Sequence, residues 1–317
     1  MTKDEYTVRD ADETDFEKIA EFLTRCDFGP KKPDWLRWKY LENPHGQARI
    51  FVVENSLEEI NGLLAYMTNI CSDSDSGPLR IMQTVDGIVD PDARGKGVYL
   101  KLLQNSMKTI DTPVIGFPNK AAENAHIKCG WRVLAPEERW YFPVMIGELG
   151  LNTWAGLAGP LINLMSRVYA SIWLGSGRGN VEMTKVERFR RDFAIQTVDT
   201  CGIRSADFLN WRFIDNPMRE YQTYEFLDGG DTIGYCVYGL DGASAEIFDF
   251  VVSRRQRVCL HQLVEHCRKK KITHLLFRGT GLRLGRFGFV KGKSIGNYIS
   301  YDLPRGSYSF TLCDSDW

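Results

Sequence analysis

Paired cysteines are missing from this 317-residue chain. Its eight cysteines (Cys26, Cys71, Cys129, Cys201, Cys236, Cys259, Cys267 and Cys313) are scattered, and no two form a CxxC pair. That spacing offers no compact zinc site, so no metal is expected, and the thiols read as reduced and buried. A surplus of charge is missing too: 40 Lys+Arg against 41 Asp+Glu leave a net charge of −1. A dedicated nucleic-acid binder carries a basic excess, so no nucleic-acid partner is expected. The opening stretch "MTKDEYTVRDADETDFEKIAEFL" is charged from the start and does not read as a signal peptide; a cytoplasmic location is expected. A clean apolar span is also lacking. The least polar segment, "LGLNTWAGLAGPLINLMSRVYASIWLG" (149–175), holds one charge, Arg167, but Asn152, Gly159, Pro160 and Asn163 interrupt it. It reads as a helical connector packed on the protein, not an integral membrane segment.

What is present is a repeat. "DWLRWKYLENPH" (34–45) and "DFLNWRFIDNPM" (207–218) lie 173 positions apart and share Asp, Leu, Trp, Asn and Pro. Five more positions keep their chemical type. Gly62 and Tyr66 downstream are matched by Gly234 and Tyr238. A chain of this length exceeds one typical core, and a repeat this long implies two similar domains side by side. Within the repeat, His45 corresponds to Met218 and is expected at the surface, while the tryptophans are expected in the core.

Element order is readable in the first copy. "YTVR" is a strand, followed by an amphipathic helix with an acidic first turn. A second helix over 34–42 stops before Asn43-Pro44. Strands follow at 49–54, 60–70 and 80–89. A helix at 98–110, the strand "TPVIGF", a short helix ending at Gly130, and the strands of "WRVLAPEERWYFPV" complete it. The order β-α-α-β-β-β-α-β-α-β predicts a mixed sheet with helices on both faces.

Between the strand at 80–89 and the next helix stands "VDPDARGKGVYLKLL". Gly95 and Gly97 allow a sharp turn whose amides, with the free N–H groups opening the helix, form an anion nest. Arg94 and Lys96 add positive charge. Asp86, on the preceding strand, is a rare residue for a central strand and sits before Gly87, a plausible bulge. It could hold or deprotonate an amine. Gln83 and Thr84 lie on opposite faces of that strand, where either could touch an acceptor.

Arg94-Gly95-Lys96-Gly97-Val98-Tyr99 resembles the (Gln/Arg)-x-x-Gly-x-(Gly/Ala) loop of the GNAT superfamily of acyl-CoA N-acyltransferases. Asn119 followed by "NAHIKCGW" resembles the same family's Asn-led helix closed by Gly-(Phe/Trp). The resemblance covers residues 6–145 and extends to 181–303 through the repeat. It implies an α/β (α+β) fold of two tandem GNAT-like mixed-sheet domains. Residues 1–145 would bind acyl-CoA, 146–180 would connect, and 181–317 would be a degenerate copy serving acceptor binding and structure. It implies acyl-CoA as co-substrate, held by Ile88, Val89, Arg94, Gly95, Lys96, Gly97, Val98, Tyr99 and Asn119, with amides at Ile88 and Val89 polarising the thioester carbonyl. Tyr99 departs from the small residue of the pattern, and its ring is expected to turn away from the pyrophosphate. Four residues before Gly130, where the family often keeps a tyrosine acid, stands His126, which can take or give a proton.

The second copy reads "SRRQRVCLHQLVEH" at the corresponding place, with no glycine. One CoA, in the first domain, is therefore expected. Tandem chains of this kind are similar to sugar N-acyltransferases of bacterial surface-polysaccharide (O-antigen) synthesis. That resemblance implies transfer of an acetyl or short hydroxyacyl group, such as 3-hydroxybutyryl, to a dTDP-linked amino-dideoxy-hexose. Gln83, Thr84, Tyr66, Arg278 and Arg283 are then the expected acceptor contacts, the arginines for phosphate. Another amine, on an aminoglycoside or a peptide, and a catalytically dead CoA-binding module remain the alternatives.

Overall fold

The structure is a computed structural model and describes residues 6–28, 31–73, 77–148, 153–177, 179–193, 201–304 and 306–314. Residues 74–76, between the strands expected at 60–70 and 80–89, and the start of the connector at 149–152 lie outside the described residues. In the first half the elements are β1 (Thr7–Ala11), α1 (Phe16–Arg25), α2 (Pro33–Leu41), β2 (Arg49–Glu54), β3 (Ile60–Asp73), β4 (Gly77–Val89), α3 (Val98–Ser106), β5 (Val114–Gly116), α4 (Lys120–Lys128), β6 (Arg132–Pro136) and β7 (Glu138–Pro143). The connector is one helix, α5 (Thr153–Leu174). The second half holds β8 (Val181–Lys185), β9 (Cys201–Gly202), α6 (Ala206–Leu209, continuing as a π-helical turn), β10 (Gln222–Asp228), β11 (Asp231–Asp241), β12 (Ser244–Val252), α7 (Gln256–Lys269), β13 (His274–Thr280), β14 (Val290–Lys291), β15 (Asn297–Tyr301) and β16 (Phe310–Thr311).

Two mixed eight-stranded sheets result, and each contains a strand from the other half of the chain. The first runs β1-β2-β3-β4-β5-β15-β6, with β9 beside β3. The second runs β14-β7-β13-β12-β11-β10-β8, with β16 beside β13. β15 lies antiparallel between β5 and β6, and β7 lies antiparallel against β13. The boundaries expected at 145 and 181 therefore do not separate the sheets: each sheet is completed by a strand from beyond its own boundary. The repeat could not reveal this, because it compares the halves with each other and is silent on which strand crosses.

The repeated helices meet at the junction. Trp38 donates its indole N–H to the Trp211 carbonyl at 3.0 Å, and Trp211 donates to Trp38 at 2.9 Å. Their rings stack at 5.2 Å. Residues 173 apart in the chain thus bond reciprocally, as a pseudo-twofold axis between the copies requires. One apolar core crosses this axis, joining Phe16, Leu36 and Val85 to Phe208, Tyr235 and Leu312. Asn43 and Asn216 make the same turn in both copies, their carbonyl oxygens accepting from the amides of His45 and Met218.

His45 is a correction. It is buried, its ring stacked on Phe208 at 4.4 Å with Nδ1 3.1 Å from the Asn69 Oδ1 atom. Its repeat partner Met218 is exposed. Phe208, from the second half, covers the His45 ring. Burial pushes the His45 ring down to about 4.

Candidate active site

The site is built where two parallel strands part. β4 and β5 pair from Met82–Val114 to Thr84–Gly116. β5 then ends, while β4 runs on to Val89, paired with β3 alone. The gap holds a cavity of about 180 Å³ lined by Thr84 to Gly87, Phe28 and Tyr99 on one side, and by Phe117, Pro118, Asn119, Ala122 and His126 on the other. Ile88 and Val89, the expected carbonyl-polarising positions, lie on the stretch of β4 that β5 no longer covers.

The expected bulge is present. Leu63 pairs with Ile88 and Ala65 with Val85, so Asp86 and Gly87 together oppose Leu64. The left-handed residue is Asp86 (φ 52°), a side chain that tolerates this region. Gly87 serves a different need: a Cβ there would lie 2.7 Å from the Tyr99 hydroxyl. Tyr99 therefore extends from α3 back to the bulge, and burial raises its hydroxyl above the ordinary range.

That turn follows β4 directly. Asp90 caps a 3-10 turn over Pro91–Ala93 by accepting from the Asp92 amide at 3.0 Å. Gly95 and Gly97 have φ of 76° and 78°, with nothing within 4 Å of a Cβ at either. They are required by backbone conformation, not by space. Gly97 is the N-cap of α3, and no side chain caps that first turn. Arg94 and Lys96 are exposed beside it, the Arg94 Nε donating to the Val89 carbonyl at 3.3 Å. The result is an open helix N-terminus with positive charge around it, a suitable seat for a pyrophosphate.

The second copy lacks this seat. Arg255, at φ 57°, is the N-cap of α7, in the place Gly97 holds for α3. Arg254 and Arg255 both bridge to Asp228, at 3.2 and 2.9 Å. These two arginines are engaged with a carboxylate of their own copy.

His126 is buried in the wall of the β4–β5 cavity. Nδ1 is 2.9 Å from the Ala122 carbonyl, which can only accept, so the neutral ring carries its hydrogen on Nδ1. Nε2, with the lone pair, is buried and has no partner among the described residues. Burial lowers the ring's basicity, partly offset by the bond to Ala122. Trp131 and Tyr99 flank it at 4.6 and 5.8 Å. A neutral imidazole with a free lone pair in a cavity can accept a proton.

Asp86 sits differently. Its Oδ2 accepts from the Tyr40 hydroxyl at 2.5 Å and pairs with the Lys39 ammonium at 2.7 Å, both side chains of that ion pair being nearly inaccessible. Sequence reasoning missed Lys39 and Tyr40, and the repeat alone does not point to them, since it matches them to Arg212 and Phe213. Counting back three from Val89 and Val252, which pair with the matched Gly62 and Gly234, gives Asp86 and Asp249. Asp249 is likewise held by a cation and a phenol, Arg204 at 2.5 Å and Tyr235 at 2.6 Å.

The expected acceptor residues scatter. Thr84 lines the cavity, but Gln83, on the opposite face, lines a separate void of about 20 Å³ at the junction with Trp38, Asn69 and Trp211. Tyr66 is a correction: it is fully buried under α3, its hydroxyl 2.6 Å from the Ser106 Oγ atom. Its match Tyr238 is also buried, 3.0 Å from the His266 Nε2 atom, so the pair marks the core. Asn119 caps α4 by accepting from Ala122 N at 3.0 Å. Arg278 reaches a second cavity of about 330 Å³, which shares Phe117, Pro118 and Asn119 with the first and adds Lys120, Glu137 and, from the other half, Gly296, Asn297 and Tyr298. Its guanidinium bonds Glu137 at 2.7 Å and Glu246 at 3.1 Å. Arg283 is exposed at the start of a 3-10 turn over Leu284–Phe287. No group of three or more potential metal ligands occurs among the described residues.

No protein-family description and no curated protein matches the sequence. Solved structures do match in fold. A GCN5-related N-acetyltransferase from Anabaena variabilis aligns with a TM-score of 0.63 at 12% identity, over 93% of this chain and 72% of that one. A probable N-acyltransferase from Enterococcus faecalis gives 0.61 at 8% identity, over 93% and 72%. A GCN5-related N-acetyltransferase from Kribbella flavida gives 0.55 at 11% identity, over 94% and 71%. At these identities the likeness establishes the fold: a two-domain chain built as the GCN5-related N-acetyltransferases are.

Proposed function

We propose that the chain is an acyl-CoA-dependent N-acyltransferase whose acceptor is the amino group of a nucleotide-linked amino-dideoxy sugar. The observation that carries the catalytic part is the alignment along one strand of an open, uncapped helix N-terminus, a β4–β5 gap, and a buried His126 with a free Nε2. The pyrophosphate of CoA sits on the amides of Gly95–Tyr99, and the acyl thioester enters the gap.

The acceptor nitrogen attacks the thioester carbon. Nε2 of His126 takes the proton that the nitrogen sheds, the C–S bond breaks, and the proton leaves with the thiolate. Fixed amide donors on β4 stabilise the oxyanion, a contribution of about 3–4 kcal/mol per donor. We assign Asp86 to holding the bulge through Lys39 and Tyr40, since its carboxylate is already engaged.

The neighbouring cavity supports the acceptor assignment. It adjoins the gap, has aromatic walls at Phe117 and Tyr298, and contains Lys120, while Arg278 there is held by Glu137 and Glu246. Flat walls suit a base or sugar ring, and the Lys120 ammonium suits a phosphate. Thiol release from acetyl-CoA and 3-hydroxybutyryl-CoA, measured against nucleotide amino sugars, aminoglycosides and peptide amines, tests this. Release with a nucleotide amino sugar alone is expected. Release only with another amine overturns the acceptor and keeps the enzyme. Release with no amine overturns both.

A further inference from the structure

The connector helix α5 carries a feature the transfer reaction does not use. Leu161, Leu164, Met165, Val168 and Ile172 are each more than half exposed. Their spacing of three and four puts them on one face of the helix. Ser166, Ala170 and Leu174 face the other way and are buried. Tyr169 anchors the helix by donating to the Gly288 carbonyl at 2.5 Å. Other exposed large apolar residues, such as Leu57, Met218 and Leu240, stand singly, which is ordinary. A continuous stripe on a packed helix is not.

We propose that α5 docks this face on an anionic lipid bilayer. The helix contains no carboxylate, and its one charge is Arg167, exposed at the flank of the stripe. Exposed Arg257 and Arg286 lie on α7 and the 3-10 turn over Leu284–Phe287, the elements packed against α5, and Arg257 reaches the Arg286 carbonyl at 3.5 Å. The neighbouring carboxylate Glu148 is held by Asn163, away from the stripe. An apolar face flanked by an arginine, with further exposed arginines on the neighbouring elements and no carboxylate on the helix, suits a helix lying in an anionic lipid interface. Among the described residues no helix is long and apolar enough to cross a membrane, so α5 lies on the bilayer. A second copy fits less well. One helix stripe falls short of the roughly 800 Å² per partner of a stable dimer.

The test is co-sedimentation of the full chain with phosphatidylcholine vesicles, with and without phosphatidylglycerol. Pelleting with the anionic vesicles alone is expected, weakened by salt. Leu164→Gln/Val168→Gln/Ile172→Gln should weaken it by roughly tenfold or more, with the circular-dichroism melt unchanged because these side chains are exposed. Arg167→Gln/Arg286→Gln should weaken it to a smaller degree. Absence of pelleting, equal pelleting with neutral vesicles, or an unaffected stripe variant overturns the proposal. A concentration-dependent dimer in sedimentation that the stripe variant abolishes also overturns it, and gives the face to a second copy.

Discussion

The hydroxyl of Tyr99 occupies the space a side chain on Gly87 would need, with 2.7 Å between it and a Cβ built there. The phenol that departs from the pattern of the glycine loop and the glycine beside the bulge are one fitted pair. Gly87→Ala should destabilise the protein by about 1–3 kcal/mol, the usual cost of overpacking. Tyr99→Phe removes the nearest atom, so the double variant should recover part of that loss. Denaturant unfolding of the four proteins gives the coupling directly. Strict additivity would show that the two residues do not meet.

His126 is the proposed base. His126→Ala should lower kcat by about 10²–10⁴-fold with little change in the KM for acyl-CoA. Because burial lowers the ring's basicity, the acid limb of kcat/KM in the wild type should fall below pH 6.5, the ordinary value for histidine. The limb should vanish in the variant. An unchanged profile would remove His126 from the chemistry.

Lys39 and Asp86 form a nearly inaccessible ion pair. Asp86→Ala removes the carboxylate from a buried ion pair, at a cost of about 3–5 kcal/mol. Its effect should appear first as a lower melting temperature. Asp86→Ala folded as stably as the wild type but inactive would return Asp86 to acid–base work.

His45 makes stability depend on pH. Its ring titrates at about 4 in the folded chain and at the ordinary 6.5 when unfolded. The unfolded chain therefore binds the extra proton between these values. The contribution is fully present above pH 6.5 and is lost as pH falls toward 4, by up to roughly 3 kcal/mol. His45→Gln should flatten the curve of unfolding free energy against pH in this window.

Much of this was legible in the sequence. The repeat implied two similar domains with its tryptophans in the core, and Trp38 and Trp211 at matched positions proved to be mutual partners. The glycine loop and the bulge followed from local rules about turns and strand aspartates, and His126 from the family resemblance. The contacts that could not be read are those between distant segments. Phe208 covering His45 and Lys39 reaching Asp86 depend on how elements pack, and no periodicity encodes that. The Tyr66 expectation failed because a repeated tyrosine is equally a core position.

The strand exchange is the largest such feature, and it has its own consequence. A fragment of residues 1–145 lacks β15 and leaves the facing edges of β5 and β6 unpaired. It should aggregate or remain unfolded when expressed alone, and joint expression with 146–317 should restore it. A soluble, cooperatively unfolding 1–145 fragment would contradict the assignment of β15.

The central claim is a single acyl-CoA site at the glycine turn of the first half. Isothermal titration of the full chain with CoA tests it most directly. The account predicts one CoA per chain, and affinity reduced roughly tenfold or more, about 1.4 kcal/mol per factor of ten, in Gly95→Val/Gly97→Val, with Arg254→Gln/Arg255→Gln unaffected. Two CoA per chain, or affinity lost with the second pair and kept with the first, would contradict it.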